Sequence, residues 1–430
     1  MDTDLTTLAK RLGKEHPVIL LESQSGEHPW SQYTYLASQP KAAIKVYGNK
    51  VYIREDGEEY MRRGNPWSML QSFRDRHQGW LFGYLGYDLK NHTEELSSQN
   101  TDPIGASDLY FMVPKVIIEQ DRKSQKMNVI KGTLRGSLKC DHTEGEQTFQ
   151  IAELQHQTSR HEYLERIHTA QQLIRDGGSY EINLSHQLKS DFRGSAWALY
   201  QKMKAIGPVP FGAFLQMDEA TVCCQSPERF LRKEGSTIFT QPIKGTSPRG
   251  KNEAEDQVLK EQLAASAKER AENLMIVDLV RNDLSRIGQT GSVKVDNLFN
   301  IETFSTVHQM VSTVQAEARE NNPIQTLKAC FPMGSMTGAP KISAMQSIEA
   351  LERYKRGIYS GAIGYIKPDG DFDFNVVIRT AIIKNDELFY SVGGAITGDS
   401  DPQDEWDETM VKARALLETL DEENKTDIQI

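Results

Sequence analysis

FNVVIRTAIIKNDELFYSVGGAITGDSDPQDEWDETMVKARALL, residues 374–417, is the stretch that decides the fold class. Two apolar β runs, FNVVIRTAII and ELFYSV, lead into a glycine pair, Gly393–Gly394, and then into a helical zone from about Asp404 to Leu420. In that helix Trp406, Met410, Ala413 and Leu417 line one face, suited to docking on a core, while Glu405, Glu408 and Lys412 share the neighbouring face. Strands and helix follow one another without a regular βαβα alternation. That order points to an α+β, mixed layered architecture rather than a doubly wound parallel sheet.

The same mixture extends upstream. AIKVY-GN-KVYIRE (Ala43 to Glu55) reads as a hairpin around Gly48–Asn49, and DLYFMVPKVIIEQ with KMNVIKG as a second β pair. Between about Gly132 and Ser159 the chain turns polar, marking a connection. Ser159 can cap a helix carrying Tyr163, Ile167, Leu173 and Ile174 at helical spacing, ended by Asp176–Gly177–Gly178. Further helical zones run from about Asn252 to Ile287 and from Ala339 to Tyr354, with β stretches GAFLQM, TIFTQPI and GAIGYIK between them. The expected organisation is an N-terminal region 1–135, a polar connection 136–158, a catalytic region 159–424 and a tail 425–430.

The 430 residues are 38% hydrophobic and 26% charged, with a formal net charge of −10 spread along the chain. This is the balance of a soluble enzyme, in one very large unit or two intimately packed ones. Without a basic block, nucleic acid is a poor partner. No apolar run reaches about 18 residues and no basic start precedes an apolar core, so neither a membrane span nor a secretory signal is expected, and the location expected is cytoplasmic. Cys140, Cys223, Cys224 and Cys330 form no CxxC or Cys/His array, which argues against zinc.

Four features carry chemistry, each with a plainer reading beside it. Lys244 in QPIKGTSPRG follows an apolar β run and precedes a Gly–Thr turn; partial desolvation there would lower its pKa and free its amine, although a lone loop lysine is usually just solvated. Glu269 and Glu272 share one helix face, and with Glu405 and Glu408 they make an oxygen-donor set for a hard cation, or simply solvated helix charge. FPMGSMTGAPK places Gly334, Ser335, Thr337, Gly338 and Pro340 at a helix start that could cradle an anion, or could be only a sharp turn. Gly393–Gly394 would let a ligand reach the backbone, Arg379 would lie among apolar neighbours on a strand, and His308 sits in a β-prone apolar run.

Taken in order, SPERF, PIKGT, AENLMIVDLVRNDL, FPMGSMTGAPK, RGIYSGAIGYI, VVIRTA and DEWDETMVKARALL resemble the chorismate-utilising enzymes, a family that includes anthranilate, aminodeoxychorismate, isochorismate and salicylate synthases. The resemblance implies a two-subdomain β-sandwich with helices outside and the active site in the cleft. It implies that Glu272 and Glu408 bind Mg²⁺, with Glu269 and Glu405 helping through water. His308, Ser335, Gly393 and Gly394 would line the ring, beside Gly245 and Thr246 of PIKGT. Tyr359 and Arg379 would hold the enolpyruvyl carboxylate, Lys412 would stand beside the metal carboxylates, and Glu228 would protonate the departing 4-hydroxyl, its pKa raised by burial and neighbouring carboxylates.

Within the family, anthranilate-forming members usually carry alanine at the position of Lys244. PIKGT is the pattern of members that aminate chorismate to 4-amino-4-deoxychorismate, on the route to para-aminobenzoate and folate. There the lysine adds at C2, the 4-hydroxyl leaves, and ammonia enters at C4. The anthranilate reaction is the alternative. Two segments depart from the family pattern. ILLESQS (Ile19 to Ser25) resembles half of a tryptophan pocket, but its companion reads Gly207-Pro208-Val209-Pro210-Phe211, and an Asp-Ile-Tyr-Gln-like stretch reads Ser179-Tyr180-Glu181. No cysteine sits in a Gly-x-Cys-x-Gly elbow, so ammonia is expected from a separate glutamine amidotransferase subunit, and a separate lyase would complete para-aminobenzoate.

Overall fold

A computed structural model describes residues 5–24, 32–133, 148–304 and 307–420. The 22 described strands form one hydrogen-bonded network. Its longest ladder runs along Tyr33–Tyr47 and Leu109–Asp121, from Tyr33 opposite Asp121 to Val46 opposite Leu109. The hairpin predicted at Gly48–Asn49 forms, with Tyr47 opposite Lys50 and Gly48 at φ +58°.

Pairing crosses freely between the early and late parts of the chain. Val18–Glu22 lies between Tyr33–Tyr47 and Phe211–Gln216, and Leu81–Leu85 pairs with Ala362–Ile366. The expected division near residue 135 falls outside the described residues, while the ladders on its two sides are continuous. One cluster of Ile19, Tyr35, Phe82, Tyr84, Met112, Leu215, Val222, Ile363 and Phe389 comes from strands alone. Helices cover the outer faces: Trp67 and Phe73 of Pro66–His77 with Ile276 and Val277 of Ala267–Ile287 at one place, Tyr163 and Ile167 with Trp406 and Met410 at another. The mixed α+β class is therefore correct, with strands inside and helices outside.

Local signals hold where they concern neighbours in sequence. Ser159 caps Arg160–Arg175 in a reciprocal capping box with Glu162. Four expectations need correction. The zone from Asn252 to Ile287 is two helices, Glu253–Ala265 and Ala267–Ile287, divided at Ser266, whose hydroxyl accepts from the Glu269 N–H. FNVVIRTAII is two strands, Phe372–Val376 and Thr380–Lys384, broken where Arg379 takes φ +52°. KGTSP is not a turn: Ile243–Pro248 is a strand with a register shift at Lys244–Gly245. Pro340 is the N-cap of Lys341–Glu352 and stands outside that helix's first turn.

One buried ion pair ties these parts together. Glu352 ends the helix Lys341–Glu352, and its oxygens accept from Arg356 at 2.6 and 2.8 Å. Arg356 also donates to the carbonyls of Met336 (2.7 Å) and Asn183 (2.8 Å), while Glu352 accepts from the Ser185 N–H and hydroxyl. Both side chains are 1% exposed. Removing one partner strands the other charge in the interior, so Glu352→Ala should destabilise the chain by about 3–5 kcal/mol in denaturant unfolding. Glu418→Ala, in the exposed pair with Arg414, should cost under about 1 kcal/mol. Equal effects would contradict this account.

Candidate functional site

Lys244 lies at the strand bulge, its side chain only 11% exposed, and donates at 2.9 Å to Oε1 of Glu181, which is fully buried. Glu181 begins the strand Glu181–Gly194, anchored on one side by Gly338–Ala339 and on the other by Glu387–Ile396. Glu272 from the helix Ala267–Ile287 and Glu408 from Pro402–Leu417 also act on the ammonium. Burial pulls the lysine's pKa down, but Glu181, Glu272 and Glu408 outweigh it, and the net shift is upward. This reverses the expected depression: desolvation was legible from apolar neighbours, whereas the carboxylates reach Lys244 only through folding.

Glu228 stands in the link between Thr221–Ser226 and Arg229–Glu234 and is buried. Its Oε1 accepts at 2.7 Å from Ser335, on the single turn Gly334–Met336. Burial pushes Glu228 up to about 7, opposed by the Ser335 hydrogen bond and by Lys244 and Lys412. The direction is as expected, but burial is the cause and the charges around it are cationic.

The four helix carboxylates occupy different environments. Glu405 is buried and accepts from Ser400 at 2.7 Å; Glu408 is exposed and pairs with Lys412 at 2.7 Å. Burial raises Glu272 to about 7, with Glu269 and Glu181 pushing the same way against Lys244. Burial also raises Glu405, with Glu408 adding to it, while Lys412 holds Glu408 below the ordinary carboxylate range. Two glycines keep this space open. A Cβ on Gly245, at φ +85°, would meet Glu269 Oε2 at 2.8 Å, and one on Gly394 would meet Glu405 Oε2 at 3.0 Å. Gly393 has another reason: its Cβ would strike the Leu184 carbonyl at 2.4 Å, so strand packing, not ligand access, requires that glycine. Its own carbonyl accepts from Lys412 at 2.8 Å.

Arg379, expected on a strand, is half-buried at a strand break and makes no ion pair among the described residues. Burial lowers its pKa, with Tyr390 and Glu228 opposing. The Tyr390 hydroxyl is buried without a partner, and Tyr359 is buried beside Arg356, whose guanidinium is 5.9 Å from its ring centre. Tyr390 and Arg356 were not singled out from sequence, and Glu181 was noted there only as part of a departure from the family pattern, with no role. A glutamate and a tyrosine inside otherwise apolar strands were the available signals.

His308 goes elsewhere. Its Nδ1 meets Thr303 at 3.0 Å and its Nε2 meets Asp256 at 3.0 Å, so both ring nitrogens are committed on the side of the strand that faces Glu253–Ala265. Thr246 is exposed. Cys223, Cys224 and Cys330 are buried, and burial raises all three thiols, Cys224 to about 11; Cys140 lies outside the described residues. Leu21, Glu22 and Ser23 do face Pro210 and Phe211 across a cavity of about 310 Å³, shared with Tyr35, Arg232 and Tyr365. No described helix is long and apolar enough to cross a membrane.

The family model described as chorismate binding enzyme matches residues 16–418. Anthranilate synthase component 1 of Aquifex aeolicus (strain VF5) is 33% identical over 456 residues, covering 98% of this chain and 92% of that protein. Aminodeoxychorismate synthase component 1 of Escherichia coli (strain K12) is 32% identical over 421 residues, covering 94% and 93%. The crystal structure of anthranilate synthase component I from Streptococcus pneumoniae TIGR4 superposes with a TM-score of 0.79 at 28% identity, covering 90% of this chain and 92% of that chain.

Glu228 makes a prediction about stability. A carboxylate raised from 4.5 to about 7 binds its proton more tightly in the folded state, so it costs stability above both values and nothing below about pH 4. At about 1.4 kcal/mol per unit, the loss between pH 4.5 and 7 is about 3 kcal/mol. Glu228→Gln should therefore be more stable than wild type at pH 8 by about that amount and equal to it near pH 4.5, in denaturant titrations at both pH values. An unchanged difference across that range would refute the assignment.

Proposed function

The chain belongs to the chorismate binding enzyme family, and from that premise we propose that it aminates chorismate to 4-amino-4-deoxychorismate, with ammonia supplied by a separate glutamine amidotransferase subunit. Identity over the whole chain is as high to an anthranilate synthase as to an aminodeoxychorismate synthase, so it does not choose between the two reactions. One observation carries the choice: a lysine, Lys244, lies largely withdrawn from solvent against Glu181, in electrostatic reach of the buried acid Glu228. A lysine amine there can form a covalent bond to C2, which the anthranilate reaction does not need.

In this reading the Lys244 amine attacks C2, the ring double bonds shift, and the C4–O bond breaks. Hydroxide is a poor leaving group, and Glu228, raised to about 7, retains a proton near neutrality with which to release it as water. Ammonia then forms the C4–N bond, the double bonds shift back, and the C2–N bond to Lys244 breaks. Chorismate is a dianion entering a chain of net charge −10. Arg379, half-buried and without an ion pair among the described residues, and Lys412 are the cations suited to its carboxylates. Gly245, Gly394, Ser335 and Tyr359 would shape the pocket around it.

The acidic set fits a hard divalent cation. Glu272 and Glu405 are pushed upward partly by their carboxylate neighbours, a cost that such a cation relieves, and Gly394 leaves room beside Glu405. Among the described residues no three His, Cys, Asp or Glu side chains gather closely enough to enclose an ion. An open site of that kind suits Mg²⁺, which keeps waters and takes substrate oxygens. Glu272 and Glu408 would hold it, with Glu269 and Glu405 acting through water, and when bound it would neutralise and polarise the ring carboxylate. The buried thiols of Cys223, Cys224 and Cys330 are unsuited to attacking glutamine, in keeping with a separate glutaminase.

Incubation with chorismate, Mg²⁺ and an ammonium salt, followed by liquid chromatography and mass spectrometry, should give a product that yields para-aminobenzoate only after a lyase is added. Lys244→Ala should abolish or change that product. Anthranilate and pyruvate from the wild type would assign the chain to the other branch. Chelation with EDTA should stop turnover and added Mg²⁺ should restore it; full activity in excess EDTA would remove the metal from the proposal.

A further inference from the structure

The resting site poses a chemical problem that its own geometry answers. Lys244 is an ammonium here, because Glu181 from the strand Glu181–Gly194 and Glu272 and Glu408 from two helices outweigh its burial. An ammonium has no lone pair and cannot attack C2. Of those three carboxylates only Glu181 touches the nitrogen, at 2.9 Å. Glu181 is fully buried, and among the described residues its Oε2 has no hydrogen-bond partner and no other cation lies within 4 Å of its carboxylate. A dry carboxylate with one oxygen on the nucleophile and the other unsatisfied is placed to receive a proton.

We propose that Glu181 is the proton acceptor that converts the Lys244 ammonium into the attacking amine and returns a proton to it when the lysine leaves. This rests on the covalent lysine reading above. A proton moves from Nζ to the Glu181 carboxylate, leaving neutral amine and neutral acid. The nitrogen lone pair then forms the bond to C2 as the C4–O bond breaks, and the hydroxide takes the Glu228 proton. The new secondary ammonium passes its remaining acidic proton to the regenerated Glu228 carboxylate. When ammonia bonds to C4 and the C2–N bond breaks, Glu181 protonates the departing lysine nitrogen, leaving the Glu181 carboxylate and a neutral Lys244 amine. The proton that the new C4 ammonium sheds passes to the Lys244 amine and restores its ammonium, so the sum is chorismate plus ammonia giving the amino product plus water. A direct exchange across 2.9 Å needs no water in the dry floor of the cleft.

The test uses the full chain with chorismate, Mg²⁺ and ammonium chloride, comparing wild type, Glu181→Gln and Glu181→Asp from about pH 6.5 to about pH 10, with KM and melting temperature recorded for each. The expected result is a kcat for Glu181→Gln lower by about 100-fold or more at every pH, with KM changed by less than about threefold. Mass spectrometry without ammonia should show correspondingly slow formation of the Lys244 adduct, and Glu181→Asp should recover part of the rate. A purely electrostatic role predicts the opposite: without the anion the lysine pKa falls, the rising limb of the rate moves to lower pH, and kcat is kept. That outcome overturns the proposal and leaves the covalent reaction intact. If Glu181→Gln does not fold, Glu181→Asp decides, because its shorter arm draws the carboxylate back, and a wild-type rate would count against proton transfer. A wild type that makes no 4-amino product defeats the functional reading and this inference with it.

Discussion

The Arg356–Glu352 pair is the interaction on which the site's geometry depends. Its guanidinium holds the carbonyls of Asn183 and Met336, and its carboxylate partner holds Ser185, so a single buried charge pair joins a helix end, a strand and the turn Gly334–Met336. Asn183 is two residues from Glu181, and Met336 is adjacent to Ser335. The residues that touch Lys244 and Glu228 are therefore one or two bonds of chain away from a junction that has no slack, because neither charge can be left unpaired in the interior. Neutral packing could fill that space, but it would not fix direction as these charge-assisted hydrogen bonds do.

Around that junction several charged groups carry an electrostatic cost. Glu228, Glu272 and Glu405 are all held above the ordinary carboxylate range, chiefly by burial, and Arg379 is held below its own for the same reason. Elsewhere buried charges meet an opposite charge at hydrogen-bond distance, as in the bidentate Arg229–Asp373 pair and the Lys341–Asp283 pair, although burial raises Asp283 as well and lifts Asp88 to about 6. Among the described residues Glu228, Glu272, Glu405 and Arg379 have no counter-charge at ion-pair distance, and they are left under tension. Groups under tension have something to gain from a bound dianion and cation.

Burial has opposite consequences for the two central groups. For Glu228 it dominates, since the nearby charges are cations that only partly offset it, and the result is an acid that keeps its proton near neutrality. For Lys244 the same burial is overridden by three carboxylates, and the result is a resting ammonium. An acid primed to give a proton and a lysine unable to act until it loses one make an ordered site, in which the lysine's partner matters as much as the lysine.

Sequence alone was enough for several features whose cause lies within a few residues. The capping box at Ser159–Glu162, the hairpin closing Tyr47 on Lys50, and the helix face of Trp406, Met410 and Ala413 follow from short-range hydrogen bonding and periodicity, and the ordered motifs named the family. Tertiary structure decided what depends on distance through space. The sign of the Lys244 shift, the commitment of His308 to Asp256 and Thr303, the packing reason for Gly393, and the meeting of Glu181 with Lys244 across 63 residues all belong to it. Burial and charge act through space, and no spacing in a linear string records which carboxylate will stand 2.9 Å from an amine.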